Sequence, residues 1–384
     1  MSEIKVNSIK GVGASAAAIT VNNTDGTCTA NLTNRTNKNL VVNGACLIAQ
    51  RGTSSTSSGY QTVDRFTTSV GGTDEALTQA QVDLSSSDTP YSSGFRKAFK
   101  YTNGNQTSGA GAGDYGLFSY SIEAQDIANS GWNYTDANSK LTIQFWAKSS
   151  VAKTFILSLY TQDGTDYGYN HKYALAANTW TKITHTFPGN SNLTFDNDNG
   201  LGIQFQWIMF TGTTYTSGST VDQWVVYNGN TSTPDDTSDW WTTNDATFEL
   251  TGVQLEVGDH ATDFEHRSFG QELALCQRYY YKHADTSGQS VCVGHCYNSS
   301  VNIGIVHFPC KMRATPSVDA PSGTNYYRVI SGNGNFNQPN CTIEDSNDTC
   351  CGIRFAGGDS TTLGRGCTLR MGSSSAYVAF SAEL

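Results

Sequence analysis

Charge is scarce in this sequence. Only 15% of its 384 residues are charged, and 23 basic against 33 acidic side chains leave a net charge of −10. That balance argues against a nucleic-acid partner, because gripping a phosphate backbone needs clustered Lys and Arg. Long apolar runs are missing as well. None approaches the roughly 18 residues that span a bilayer, so no membrane insertion is expected. The opening Met1-Ser2-Glu3-Ile4-Lys5 has no basic stretch leading into an apolar core, which points away from Sec export. Catalytic signatures are absent too: there is no Gly-x-Ser-x-Gly elbow, His-Glu-x-x-His pair or P-loop. The seven histidines are scattered, with His260 and His266 flanking a strand end and His283 closing a helix. No catalytic residue, metal or cofactor is therefore expected. Asp196-Asn-Asp198-Asn-Gly200 resembles half of a calcium loop, but its twelfth position is Trp207. It reads as a turn, unless a distant loop completes a calcium site.

Hydroxyl groups are what the chain has in plenty: Ser and Thr number 87, beside 38 Gly and 19 Tyr. Such text makes short strands and many turns. The 11% aromatic content is ample for packed cores and far above that of a disordered chain. Leu141-Thr-Ile-Gln-Phe-Trp-Ala147 puts Leu141, Ile143, Phe145 and Ala147 on one face, and Leu201–Phe210 aligns Ile203, Phe205, Trp207 and Met209 in the same way. Period-two alternation marks half-buried antiparallel strands. Further strands are expected at 154–160, 181–187 and 246–257.

Ser268-Phe-Gly-Gln271 starts the best helix, with a capping-box arrangement and a Leu273, Cys276, Tyr280 stripe. After it, short strands are expected at 301–307, 327–330, 352–355, 368–371 and 376–384. The fold class is thus mainly β: an antiparallel sandwich or jelly roll, one linking helix and a second, smaller β domain. The boundaries fall at 1–38 for an N-terminal segment, 39–267 for the jelly roll, 268–283 for the helix and 284–384 for the C-terminal domain. Residues 1–38, with a hairpin turn at Asn22–Gly26, are too few to own a core and are expected to pack on a partner or on copies of themselves.

Two residue types are unevenly placed. Eight of ten cysteines lie between Cys276 and Cys367. Buried free thiols, disulfides and a zinc site around Cys292-Val-Gly-His-Cys296 are all compatible with that spacing. All seven tryptophans lie between Trp132 and Trp241. Trp146, Trp180 and Trp207 fall in strands and read as core. Trp224, Trp240 and Trp241 fall in a polar insertion, residues 211–245. There they either stack on sugar rings, with Tyr215 in support and Asp235, Asp236 and Asp239 bonding hydroxyls, or fold inward. Trp240, Trp241, Trp224 and Tyr215 are the candidate glycan-binding residues.

Asn39-Leu-Val-Val-Asn-Gly44, Ala49-Gln-Arg-Gly-Thr53 and Tyr60-Gln-Thr-Val-Asp-Arg-Phe66 resemble the opening of a jelly-roll module in bacteriophage tail-fibre proteins. Phe248–Gly258, Ala261–Ser268 and Glu272–Tyr280 resemble its close, and Phe308–Pro316 with Phe380–Leu384 resembles the C-terminal β domain of such proteins. The resemblance implies a virion component, tail or fibre, made in the host cytoplasm. Its module would be carbohydrate-binding-like, and the protein a homotrimer. It would attach to other tail proteins through residues 1–38 and contact a host surface glycan. It supplies no catalytic residue, so no enzyme is expected; a purely architectural fibre and a virion depolymerase are the alternatives.

Overall fold

The computed structural model describes residues 7–10, 19–21, 24, 28–30, 37–216 and 219–384. In the N-terminal part, Ser8–Ile9, Ile19–Val21 and Cys28–Ala30 form a small antiparallel sheet, with Val21 opposite Cys28. Most of the expected Asn22–Gly26 turn lies outside the described residues.

Residues 54–257 build a sandwich of two six-stranded antiparallel sheets. Across the first, the strands run Trp224–Val226, Tyr167–Leu175, Lys153–Thr161, Leu201–Thr211, Tyr115–Glu123 and Phe66–Gly71. Across the second they run Thr181–Pro188, Lys140–Ser149, Thr247–Val257, Lys97–Thr102, Thr78–Asp83 and Ser54–Ser55. The chain crosses repeatedly between the sheets, so neither is a simple meander. Inward residues alternate as expected: Leu141, Ile143, Phe145 and Ala147 meet Ile203, Phe205, Trp207 and Met209 in one buried core. Rings dominate it, as in the stacked Phe99–Phe118 pair at 4.2 Å and the edge-on Phe145–Trp207 pair at 5.7 Å. The strand Thr247–Val257 slips register between Thr251 and Gln254, at Gly252. A side chain at Gly252 would both violate its φ of +64° and strike the Phe95 ring, so only glycine fits this bulge.

The helix runs Phe269–Gln277 and opens with the expected capping box. It is shorter than 268–283, because Tyr280–Ala284 is already a strand paired with Val378–Ser381. His283 therefore sits in a strand and closes no helix. The buried face of the helix is Glu272 and Cys276 instead of the Leu273, Cys276, Tyr280 stripe. Glu272 is drawn in because it accepts the Asn43 backbone N–H and lies 3.4 Å from Arg267.

The C-terminal part packs a seven-stranded antiparallel sheet against a three-stranded one. Its core is rich in sulfur, with Cys296, Cys341, Cys351, Cys367, Met312 and Met371. The nine cysteines with described side chains are free thiols. Burial pushes Cys292, Cys351 and Cys367 up to about 12, which keeps them protonated and unreactive.

Charged groups join the two parts. Glu123, fully buried, takes two bonds from Arg278 at 2.8 and 2.6 Å and one from the Tyr279 hydroxyl at 2.5 Å. Arg65 lies over the Tyr279 ring at 3.4 Å and pairs with Glu383 at 2.6 Å. Arg51 covers Tyr280 at 3.5 Å and reaches the same Glu383. Among the described residues, no helix is long and apolar enough to cross a membrane.

Candidate functional site

Alternation that turns one half of each strand inward turns the other half outward. On the first sheet the outward half is hydroxyl- and amide-rich. The registers place Thr67, Ser119, Gln206, Ser158 and Asn170 side by side in a single row across five strands. The neighbouring row carries Ser121, Gln204 and Tyr160, and the row on the other side carries Leu117, Ile208 and Ile156. An apolar stripe thus flanks a pair of polar ones on one side.

The insertion after Thr211 forms one wall above these rows. It is anchored from below: the Lys153 ammonium pairs with Asp236 at 2.8 Å and donates to the Met209 carbonyl. Asn170 donates to Ser219 and to the Ser232 carbonyl, and Thr233 exchanges a hydroxyl bond with Thr211 at 2.9 Å. The groove so enclosed holds about 530 Å³. Four tyrosines line it, Tyr60, Tyr115, Tyr215 and Tyr227; Tyr227 stacks on Tyr160 at 5.1 Å and 24°, and Tyr215 stands edge-on to Tyr115 at 5.7 Å. Burial, followed by the neighbouring Tyr227, pushes the Tyr160 hydroxyl up to about 12, and Tyr227 is raised for the same first reason. Both are neutral donors near pH 7. On the floor, Gln206 donates to Gln204 at 2.9 Å and Gln204 to Ser121 at 3.1 Å. Each primary amide has two donor hydrogens and an acceptor oxygen with two lone pairs, so this relay leaves capacity for a ligand.

A larger cavity, about 750 Å³, lies where residues 37–42 pass 256–267. Several charged groups on and beside its wall are already held by hydrogen bonds to neutral partners. Glu265 takes the backbone N–H groups of Asn37, Lys38 and Asn39, and Lys38 donates to Thr262 and the Asp263 carbonyl. Glu256 accepts from Thr262 and Gln254. This is a structural joint.

The expected tryptophan platform is corrected here. Trp240 and Trp241 are fully buried. Trp240 meets Tyr101 edge-on at 5.5 Å and donates its indole N–H to the Thr247 carbonyl; Trp241 lies 5.3 Å from Phe210 and donates to the Gly109 carbonyl. They sit in a turn closed by Thr242 N–H to the Ser238 carbonyl. A turn, unlike an extended strand, lets adjacent side chains both find apolar space. Trp224 is half-buried, facing Tyr169 on the core side and donating to the Pro188 carbonyl, so it does not reach the groove. Asp236 is consumed by Lys153. Of the four candidates only Tyr215 lines the groove. The signal that was missed is the outward half of a recognised strand, Gln204 and Gln206 between Ile203, Phe205 and Trp207.

No protein-family model matches this chain, and no curated protein matches its sequence. Solved structures that align with part of it include the enzymatically active domain of bacteriophage CBA120 tailspike protein 4, at 13% identity and a TM-score of 0.31, over 57% of this chain and 21% of that one. This chain thus spans about a fifth of that protein's length. The N-terminal cellulose-binding domain of Cellulomonas fimi β-1,4-glucanase C aligns at 11% identity and 0.28, over 55% and 98%. The family 11 carbohydrate-binding module of Clostridium thermocellum, solved with a mixed-linked tetrasaccharide, aligns at 13% and 0.25, over 53% and 91%.

Proposed function

We propose that the chain binds an extended glycan in the groove of the first sheet without cleaving it. The observation that carries this reading is the combination of lining groups. Tyrosine rings offer flat faces to the C–H faces of sugars, and the floor row offers amide and hydroxyl partners to their hydroxyl groups. None of the described lining residues bears a carboxyl or imidazole side chain. Most glycoside cleavage uses a pair of carboxyl groups across the bond, so this lining favours holding a chain over breaking it. A shallow site of this kind gives weak single-site affinity, and several copies on one particle supply avidity.

The setting that fits such a module is the virion tail or fibre implied by the resemblance above. There the groove engages a host-envelope glycan and residues 1–38 meet other tail proteins. Association of several copies, as a homotrimer, belongs to the same reading. The test is binding of purified full-length chain to host-envelope glycans, by calorimetry with product sizing. Saturable binding that Gln206→Ala and Tyr227→Ala both weaken, with no shortening of the glycan, is the expected result. Undiminished binding in both variants removes the groove from consideration, and chain shortening lost on changing one Asp or Glu replaces binding with hydrolysis.

A further inference from the structure

At the open edge of the sandwich, opposite the Phe66–Gly71 side, the two sheets are closed by imidazoles. His171 lies on Tyr167–Leu175 of the first sheet and His185 on Thr181–Pro188 of the second. Their rings stack at 3.7 Å and 22°. Asp222 comes from the insertion, its backbone N–H fixed on the Asn170 carbonyl at 2.8 Å. Its Oδ1 lies 2.7 Å from His171 Nδ1 and 3.7 Å from His185 Nε2, and the three donor atoms all fall within 4.8 Å of one another. His185 Nε2 is buried and makes no hydrogen bond. Asp222 is half-exposed, so the cluster has an entrance from solvent.

We infer that His171 Nδ1, His185 Nε2 and Asp222 Oδ1 bind a divalent late transition-metal ion of the zinc class. Tetrahedral bonds of about 2.0–2.1 Å set neighbouring donor atoms about 3.3 Å apart, a value bracketed by 2.7 and 3.7 Å. Because each imidazole nitrogen binds through a lone pair in its ring plane, the stacked rings must turn out of parallel as the ion enters, and Asp222, on its loop, closes on it. Two imidazoles with one carboxylate suit zinc, cobalt or nickel and are poorly matched to calcium or magnesium, which favour oxygen ligands. Three protein ligands leave a fourth position for water. The ion would tie both sheet edges to the insertion two residues before the strand Trp224–Val226, and so hold the wall that carries Tyr227. That consequence rests on the groove reading; the metal site itself does not.

The test is titration of chelator-treated, reduced full-length chain with Co²⁺, followed by visible absorption, and competition by Zn²⁺. The expected result is one ion per chain, the intense d–d bands of a tetrahedral centre and no thiolate charge-transfer band in the near ultraviolet. His185→Ala and Asp222→Asn should each weaken binding by ~100-fold or more, above the ~10–100-fold cost of losing a mere outer-sphere partner. Asp222→Asn, on an exposed loop and close in shape, keeps the test open if His185→Ala fails to fold. His260→Ala, in the separate exposed pair with Asp259, should bind as the parent does. No tetrahedral signal in the parent, a thiolate band, or unchanged binding in Asp222→Asn overturns the assignment. Glycan binding measured with and without Zn²⁺ then reads the coupling separately: a groove that binds equally well in both leaves the metal site standing.

Discussion

Two large outer sheet faces of this chain, one on the sandwich and one on the C-terminal part, differ in kind. On the sandwich, the central row reads Thr67, Ser119, Gln206, Ser158, Asn170, beneath a wall formed by the insertion. On the seven-stranded C-terminal sheet, one row reads Ile330, Thr368, Val293 and, by continuation of the pairing, Ile305 beside Gly352. Val293 is 77% exposed and Ile305 62%. Their inner faces are both apolar, so folding alone demands nothing different of the outer ones. The polar row has unsaturated hydrogen-bonding capacity and matches a hydroxylated ligand. The apolar row favours burial against another surface, because each exposed branched side chain forgoes about 1.5–3 kcal/mol of burial. The inward half of a strand specifies the fold; the outward half specifies what the fold meets.

The strongest way to break this contrast is to cut beneath the groove. Trp240→Ala removes a fully buried indole and should destabilise the sandwich by ~3–5 kcal/mol in urea denaturation. Val293→Ser on the other face should stay within about 0.5 kcal/mol. A stable Trp240→Ala chain that fails to bind glycan would restore the indole to the binding surface.

The joint that holds the two faces in one molecule has its own pH dependence. Burial, opposed by hydrogen bonds from Gln50, raises Asp64 from an ordinary 3.8 to about 6. A carboxyl raised in the folded state contributes stability that is fully present below 3.8 and is lost as pH rises through about 6. The gap is worth roughly 3 kcal/mol at about 1.36 kcal/mol per pKa unit. The parent should therefore gain on Asp64→Asn as pH falls from 7 to 4, and a stability difference that is flat over that range contradicts the assignment.

On the groove itself, Tyr227→Ala and Gln206→Ala should each lower glycan affinity about tenfold, ~1.4 kcal/mol, without a matching loss of stability. Ile305→Asp should leave that affinity untouched. The smallest effect sharpens the other side. Val293→Asp and Ile305→Asp should shift light-scattering mass toward the monomer, whereas Gln206→Ala should not. Loss of association from the groove variant would merge two surfaces that are here distinct.

Much of this was legible before folding was considered. The strands 141–147, 201–210 and 246–257 announced themselves by alternation, and the helix by its capping box, because both signals are local in sequence. The segments that carry the tail-fibre resemblance turned out to share a place: Gln50, Arg51, Asp64, Arg65, Tyr279 and Glu383 meet at the joint between the two parts. The indoles misled because a hydrophobic residue in polar text looks exposed, whereas Ser238–Thr243 turns both rings inward.

By itself, the sequence determined the class of the molecule: a low-charge, hydroxyl-rich, aromatic chain with period-two alternation has little choice but antiparallel β-sheets with an apolar interior. Tertiary structure alone decided which outward residues become neighbours. Gln206 and Asn170 are 36 positions apart yet lie in one row through Ser158, and His171, His185 and Asp222 converge from two sheets and a loop. The physical reason is that alternation is set by the pleat of each strand, while register and sheet order are set by how all the inward faces pack at once.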